Sequence, residues 1–344
     1  MNSESLKMLD LLIIGAGPAG ISAAYEAKKV GLDYVVIEKG LIGNTIYRYP
    51  VGLTVFSTTN ELEFEPGDLN PAREKPTREE LLSYYVRFVL DNELNVHAEE
   101  LVESVEPTEE GFLVTTDKAE YETRNVLFAI GAMDFPRKLN VPGEDLPKVY
   151  DHFRETYPWV KKKALIVGGG NSAGEAALFL AQEGCETTLA IFRGDWENND
   201  PKQGCIKYWV KQPLEEELKE HCLMLFFLGK VVEIREREVE LENESGERVV
   251  IENDVVFVLI GADADLTMLK NLGAEIVSGK YGEVPVYDPE TYETNVKGIY
   301  VAGHLTNERH IKSAIESAKK IVPAIAGISR EATAVRSTRS TLRS

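Results

Sequence analysis

Short apolar runs recur along the chain, and several end in a glycine turn. Residues 9–14 (Leu-Asp-Leu-Leu-Ile-Ile) read as a buried strand. A glycine turn follows, and Ala and Ile fall on one face of 19–30, which predicts a helix. Gly31 stops that helix, and 34–37 (Tyr-Val-Val-Ile) read as a second buried strand. Strand, helix and strand in close succession form a βαβ unit, hence a parallel sheet. Residues 40–76 lack periodicity and read as a long loop, a length that usually accompanies function. A helix is predicted over 77–91, with apolar residues at 81, 82, 85, 86 and 89. Short alternating strands fill 95–130.

The same pattern begins again at Lys163. Residues 163–167 read as a strand, 168–174 as a glycine turn, 175–183 as a helix and 187–192 as the next strand. Further strands are expected near 231–241, 248–251, 255–260 and 298–303, and a last helix over 308–326. The Arg/Ser/Thr-rich stretch 330–344 has no periodicity and is expected to be a disordered tail. The fold class expected is α/β, with two Rossmann-like dinucleotide-binding domains.

Composition narrows the picture. A chain of 344 residues suits about two domains. With 38 Lys+Arg against 57 Asp+Glu the net charge is −19, which argues against nucleic acid or an anionic membrane as partner. Cys185, Cys205 and Cys222 form no C-x-x-C, which fits a reducing cytoplasm and offers no disulfide framework or zinc site. The five histidines have no ligand spacing, so no metal is expected. No apolar run approaches the ~18 residues of a membrane span, and the polar start predicts no targeting segment.

Chemistry concentrates at the two glycine turns. In Gly15-Ala16-Gly17-Pro18-Ala19-Gly20, Gly15 makes the tight turn, Gly17 lets a diphosphate approach and Gly20 lets helix and strand pack. Glu38, ending the second strand, suits the hydroxyls of an adenosine ribose. The second turn, with Gly168, Gly170, Asn171, Ser172 and Ala173, has the same context, but its following strand ends in Arg193. An arginine there suits a 2′-phosphate, hence NADPH; Asp195 and Glu197 stand close enough in sequence to pair with it instead. One turn is expected to hold FAD and the other NADPH, the flavin taking a hydride and passing electrons onward.

The order GAGPAG, LFAIGA, VGGGNSA, VFVLIGA, GIYVAGH resembles the two-dinucleotide-domain flavoprotein reductases, near low-molecular-weight thioredoxin reductase. Within that group the chain most resembles the bacillithiol disulfide (bacilliredoxin) reductase family. The carrying segments are IEKG at 37–40, NTIYRYP at 44–50, KPTR at 75–78, NVPGEDLPKV at 140–149 and ETNVKGIYVAG at 293–303. The resemblance implies an FAD domain over 1–142 and 254–329, with an NADPH domain over 143–253 inserted. It implies that Lys39, Asn44, Val102, Gly131, Gly303, His304 and Ile311 also surround FAD, and that the protein is a homodimer or higher homo-oligomer. The acceptor implied is a bacillithiol-type disulfide. A ferredoxin or flavodoxin acceptor, or a low-turnover redox sensor, stays open beside it.

Three departures bear on mechanism. Residues 150–159 lack the C-x-x-C of thioredoxin reductases. Ala19 stands where the resembled family has a cysteine, and His304 where the wider group has an aspartate. Cys205, with Lys207 near it, is the replacement thiol to consider, though a nicotinamide-domain loop cysteine is the plainer reading. Cys185 and Cys222 read as packing. His310, expected at the start of the last helix, and Tyr47, with its neighbour Tyr49, complete the catalytic candidates.

Overall fold

The computed structural model describes residues 7–200, 206–220, 223–280 and 282–327. Over these residues the chain forms two compact units, one of 7–48, 52–135 and 263–327, the other of 49–51 and 136–262.

The first unit is built on a five-stranded parallel sheet. Its order is Ile299–Val301, Val126–Phe128, Leu11–Ile14, Tyr34–Glu38, Val96–Ala98. Leu11, Leu12 and Ile13 expose no surface, as expected of a parallel strand covered on both faces. Helices Pro18–Val30 and Ile311–Ile325 pack together, and the Ser22 hydroxyl donates to the Ile315 carbonyl at 2.8 Å. An antiparallel sheet of Val102–Pro107, Phe112–Thr116 and Glu120–Thr123 adds Val102, Phe112 and Val114 to the core around Leu12 and Val35. The long loop carries a short helix, Asn44–Tyr47, and a single turn, Thr59–Glu61. Helix Arg78–Asp91 is capped by Thr77, whose hydroxyl accepts from the Glu80 N–H while the Glu80 carboxylate accepts from the Thr77 N–H.

The second unit holds a seven-stranded sheet. The order is Arg248–Glu252, Glu238–Asn243, Leu223–Ile234, Glu186–Ile191, Lys163–Val167, Val255–Val258, Val149–Tyr150. The two outer strands at the Arg248 end pair antiparallel and the rest parallel. Helices Asn171–Gln182 and Tyr208–Lys219 cover it with Leu180, Val210 and Leu214. Three expectations shift. Leu223–Ile234 is one continuous strand, the helix after the second turn begins at Asn171, and the helix Tyr208–Lys219 is new. The second unit runs from Pro136 to Ala262 apart from Tyr49–Val51, and within it Val255–Val258 pairs with Lys163–Val167. The expected tail, 330–344, lies outside the described residues. Among the described residues no helix is long and apolar enough to cross a membrane, and no group of three or more His, Cys, Asp or Glu could hold a metal ion.

Candidate functional site

The first glycine turn has two closed positions and one open one. At Gly15 φ is +108°, and a Cβ would stand 2.6 Å from the Ala129 carbonyl oxygen. At Gly20 a Cβ would stand 1.9 Å from the Gly15 carbonyl oxygen, so that glycine draws helix onto turn. At Gly17 a Cβ would meet nothing within 4 Å among the described residues, so packing does not demand the glycine. Gly17 is the N-cap of Pro18–Val30, with no side-chain cap and no acid in the first turn. The helix therefore presents free N–H groups and an uncompensated positive end to open space. The capped helix Arg78–Asp91 does not.

Around this turn the chain is tightly tied. Glu38 is buried, and its Oε2 accepts from the Ala16 N–H at 2.7 Å while Oε1 accepts from the Gly40 N–H at 2.7 Å. The Gly43 N–H reaches the Ala16 carbonyl at 2.9 Å, which brings Asn44 and the start of its helix to the turn. Asn44 packs under Gly40, whose Cβ would stand 2.8 Å from its side-chain carbon. Lys39 points outward to Asp134 at 2.5 Å. Val102 is a core residue, and Gly131 takes φ +75° just beyond Val126–Phe128.

Gly303 faces the same helix start: its Cβ would stand 3.2 Å from the Ala19 Cβ. Ala19 is itself buried. His304 follows, and burial, with the charges of Arg309 and His310, pulls its imidazole down to about 4, so it is neutral at physiological pH. His310 is the exposed N-cap of Ile311–Ile325 and makes no side-chain cap there. Tyr47 is held by Arg78, which donates to its carbonyl at 2.6 Å and lies 5.4 Å from its ring centroid.

The second turn repeats the open position. At Gly170 a Cβ would meet nothing within 4 Å among the described residues; it is the N-cap of Asn171–Gln182, again without side-chain cap or first-turn acid. Asn171 is occupied otherwise, its Oδ1 accepting from the Lys207 N–H at 2.7 Å. Ser172 is exposed and Ala173 fully buried. The Asp195 carboxylate lies against Gly169, where a Cβ would stand 2.2 Å from its Oδ2. Arg193 does pair with acids, but with Glu197 at 3.4 Å and Glu244 at 2.8 Å. Sequence proximity pointed to Glu197 and could not point to Glu244.

The sequence reading missed Glu175, on the helix after the second turn, whose carboxyl burial pushes up to about 7. Burial raises the Tyr49 phenol as well, and the Glu175 charge adds to that rise. The only signal was an acid set beside the apolar Ala176 and Ala177. Cys205 and Cys222 lie outside the described residues. Cys185 is buried, and its thiol donates to the Trp159 carbonyl at 3.0 Å.

A family model described as pyridine nucleotide-disulphide oxidoreductase matches residues 12–303. Bacilliredoxin reductase Bdr of Bacillus subtilis (strain 168) is 37% identical over 293 residues, 85% of this chain and 88% of that protein. A ferredoxin–NADP reductase of Ignicoccus hospitalis is 29% identical over 302 residues, 87% of this chain and 90% of its own length. The solved structure of bacillithiol disulfide reductase Bdr from Staphylococcus aureus superposes with a TM-score of 0.87 at 33% identity, covering 94% of this chain and 99% of that one. These matches imply FAD and NADPH as cofactors. Two uncapped helix starts, each behind an open glycine, fit two diphosphate-bearing groups.

Proposed function

The chain belongs to the pyridine nucleotide-disulphide oxidoreductase family, and on that premise we propose that it carries electrons from NADPH through FAD to a bacillithiol-type disulfide, free or protein-bound. The observation that carries the reading is the pair of uncapped helix starts at Gly17 and Gly170. Residues 15–20 hold the FAD diphosphate on the N–H groups of Ala19 and Gly20. Glu38 keeps a lone pair free on each oxygen beyond its two backbone bonds, enough to accept from ribose hydroxyls. Residues 170–173 hold the second diphosphate in the same way, and Arg193 takes the 2′-phosphate. Gly131, Gly303, His304 and Ile311, with Lys39, Asn44 and Val102, complete the surroundings of FAD. A neutral His304 adds no charge to that anion site. When bound, NADPH supplies a hydride and FAD relays the electron pair to a disulfide, which with two protons becomes two thiols. The substrate class is supported by the names of the two Bdr relatives. We place the protein in a reducing cytoplasm, supported by its three unpaired-pattern cysteines, and as a homo-oligomer, supported by family resemblance.

One observation favours a second reading. Ala19 offers no thiol at the first helix start, and a 29% identical relative is a ferredoxin–NADP reductase. A one-electron protein acceptor needs no cysteine. The test is to reduce the purified protein with NADPH without air and time flavin reoxidation. Prompt reoxidation by bacillithiol-type disulfides supports the first reading. Reoxidation by ferredoxin or flavodoxin alone supports the second, and slow reoxidation by every acceptor supports a redox sensor.

A further inference from the structure

We propose that Glu244, assisted by Glu197, holds Arg193 in an ion pair that a 2′-phosphate must displace, so that Glu244 sets how strongly the second site discriminates NADPH from NADH. The inference deepens the reading of Arg193 given above and rests on it.

Arg193 stands just beyond the strand Glu186–Ile191, where a Rossmann-like unit brings the adenosine ribose. Its guanidinium lies over the Phe227 ring, 3.8 Å from the centroid. Phe227 is on the neighbouring strand, paired with Ile191, so the stack fixes the plane of the guanidinium. Within that plane two of its five N–H groups are engaged by carboxylates: Nε donates to Glu244 Oε2 at 2.8 Å, and Nη1 donates to Glu197 Oε1 at 3.4 Å. A phosphate that takes the guanidinium side-on needs Nε and so competes with Glu244, and one that takes it end-on uses the Nη groups and so competes with Glu197. It also meets their negative charge. NADH brings no such group and needs no exchange.

The pair is breakable. Arg193 and Glu244 have 47% and 37% exposed side chains, and exposed pairs are weak. Glu244 therefore attenuates 2′-phosphate binding without abolishing it. Nor does the turn that carries Glu244 need that side chain. The Asn243 Oδ1 closes it by accepting from the Ser245 and Glu247 N–H groups at 2.9 and 3.0 Å. Glu244→Gln should fold normally.

The test uses FAD-loaded protein and two fragments that differ by the 2′-phosphate, 2′,5′-ADP and 5′-AMP, titrated by calorimetry. Glu244→Gln should tighten 2′,5′-ADP by about two- to five-fold and leave 5′-AMP unchanged, the scale of one exposed ion pair. Glu197→Gln should act in the same direction, more weakly, and Arg193→Ala/Glu244→Gln should show no gain over Arg193→Ala. If Arg193→Ala weakens 2′,5′-ADP selectively but Glu244→Gln and Glu244→Ala change nothing, the role of Glu244 is overturned and that of Arg193 stands. If Arg193→Ala weakens both fragments equally or neither, the reading of Arg193 itself fails. Equal tightening of both fragments by Glu244→Gln would mean a general charge effect and would also overturn the proposal.

Discussion

Glu38 and Ala16 are joined by a 2.7 Å hydrogen bond from backbone amide to carboxylate, and this ties the end of the second strand to the first glycine turn. The other carboxylate oxygen holds the Gly40 amide. Glu38 is thus a structural strut, beside the ribose-binding role proposed for it. Bonds from amides to a charged acceptor are worth roughly 1.5–3 kcal/mol each, and a buried amide left unpaired costs more than a bond replaced. Glu38→Ala should lose about 3 kcal/mol or more of stability in the flavin-free protein, and FAD besides. Glu38→Gln keeps one acceptor oxygen and should fall between. Thermal unfolding with the flavin-to-protein absorbance ratio separates the two effects; an unchanged midpoint in Glu38→Ala would remove the strut.

Gly17→Val should yield apoprotein that is well folded. A Cβ at Gly17 meets no described protein atom within 4 Å, so a side chain enters only the space assigned to the diphosphate. Gly20→Ala should behave in the opposite way. Its Cβ would fall 1.9 Å from a backbone oxygen, and helix must separate from strand to admit it. We expect far-ultraviolet dichroism and a thermal midpoint like flavin-free wild type for Gly17→Val, and gross destabilisation for Gly20→Ala. A yellow, fully loaded Gly17→Val protein would refute the site.

These contrasts show what the sequence made legible. Both βαβ units were readable because close approach and positive φ leave glycine little substitute at Gly15 and Gly20, and a fully covered parallel strand must be apolar throughout. The helix Tyr208–Lys219 was not readable, since Pro213 within it signals a break. The sheet that Val255–Val258 joins was not readable either, since strand pairing and not composition sets it beside Lys163–Val167. Glu244 lies 51 residues from Arg193 in sequence, and only the hairpin returning from the sheet brings them together. The hold of Glu38 on Ala16 was equally invisible; the acid was legible, its backbone partners were not.

Two half-buried titrating groups should tilt the pH profile in opposite directions. His304 is pulled from its ordinary 6.5 to about 4, chiefly by burial. The unfolded chain then binds a proton that the folded one refuses, so stability is full above pH 6.5 and is lost as pH falls toward 4. Glu175 is pushed from 4.5 to about 7 by burial. Here the folded state keeps a proton the unfolded chain releases, so stability falls as pH rises from 4.5 to 7. The slopes oppose each other between pH 4.5 and 6.5. His304→Gln should remove the acid-side loss. Glu175→Gln should stabilise at pH 8, by at most about 3 kcal/mol, and do little at pH 4. Denaturant unfolding of flavin-free protein at pH 4.5, 6 and 8 checks both; a Glu175→Gln gain that is the same at every pH would discount the raised carboxyl.

Ala19 is buried against Gly303, so the first helix start has no sulfur to offer a disulfide. Cys185 cannot replace it: the residue is 3% exposed, its thiol is spent on the Trp159 carbonyl, and burial and then the Glu183 charge push it further from the thiolate. Cys205 and Cys222 lie outside the described residues. Transfer straight to the acceptor asks nothing of any of them. A variant with Cys185, Cys205 and Cys222 all changed to serine should therefore keep most of its turnover with the true acceptor, and flavin reduction by NADPH should be unaltered. The Cys185→Ser component should cost about 1 kcal/mol of stability, because a hydroxyl keeps the hydrogen bond but buries a more polar atom. Stopped-flow absorbance resolves the two half-reactions. Loss of the oxidative half alone, reproduced by Cys205→Ser alone, would show that electrons leave through a relocated cysteine.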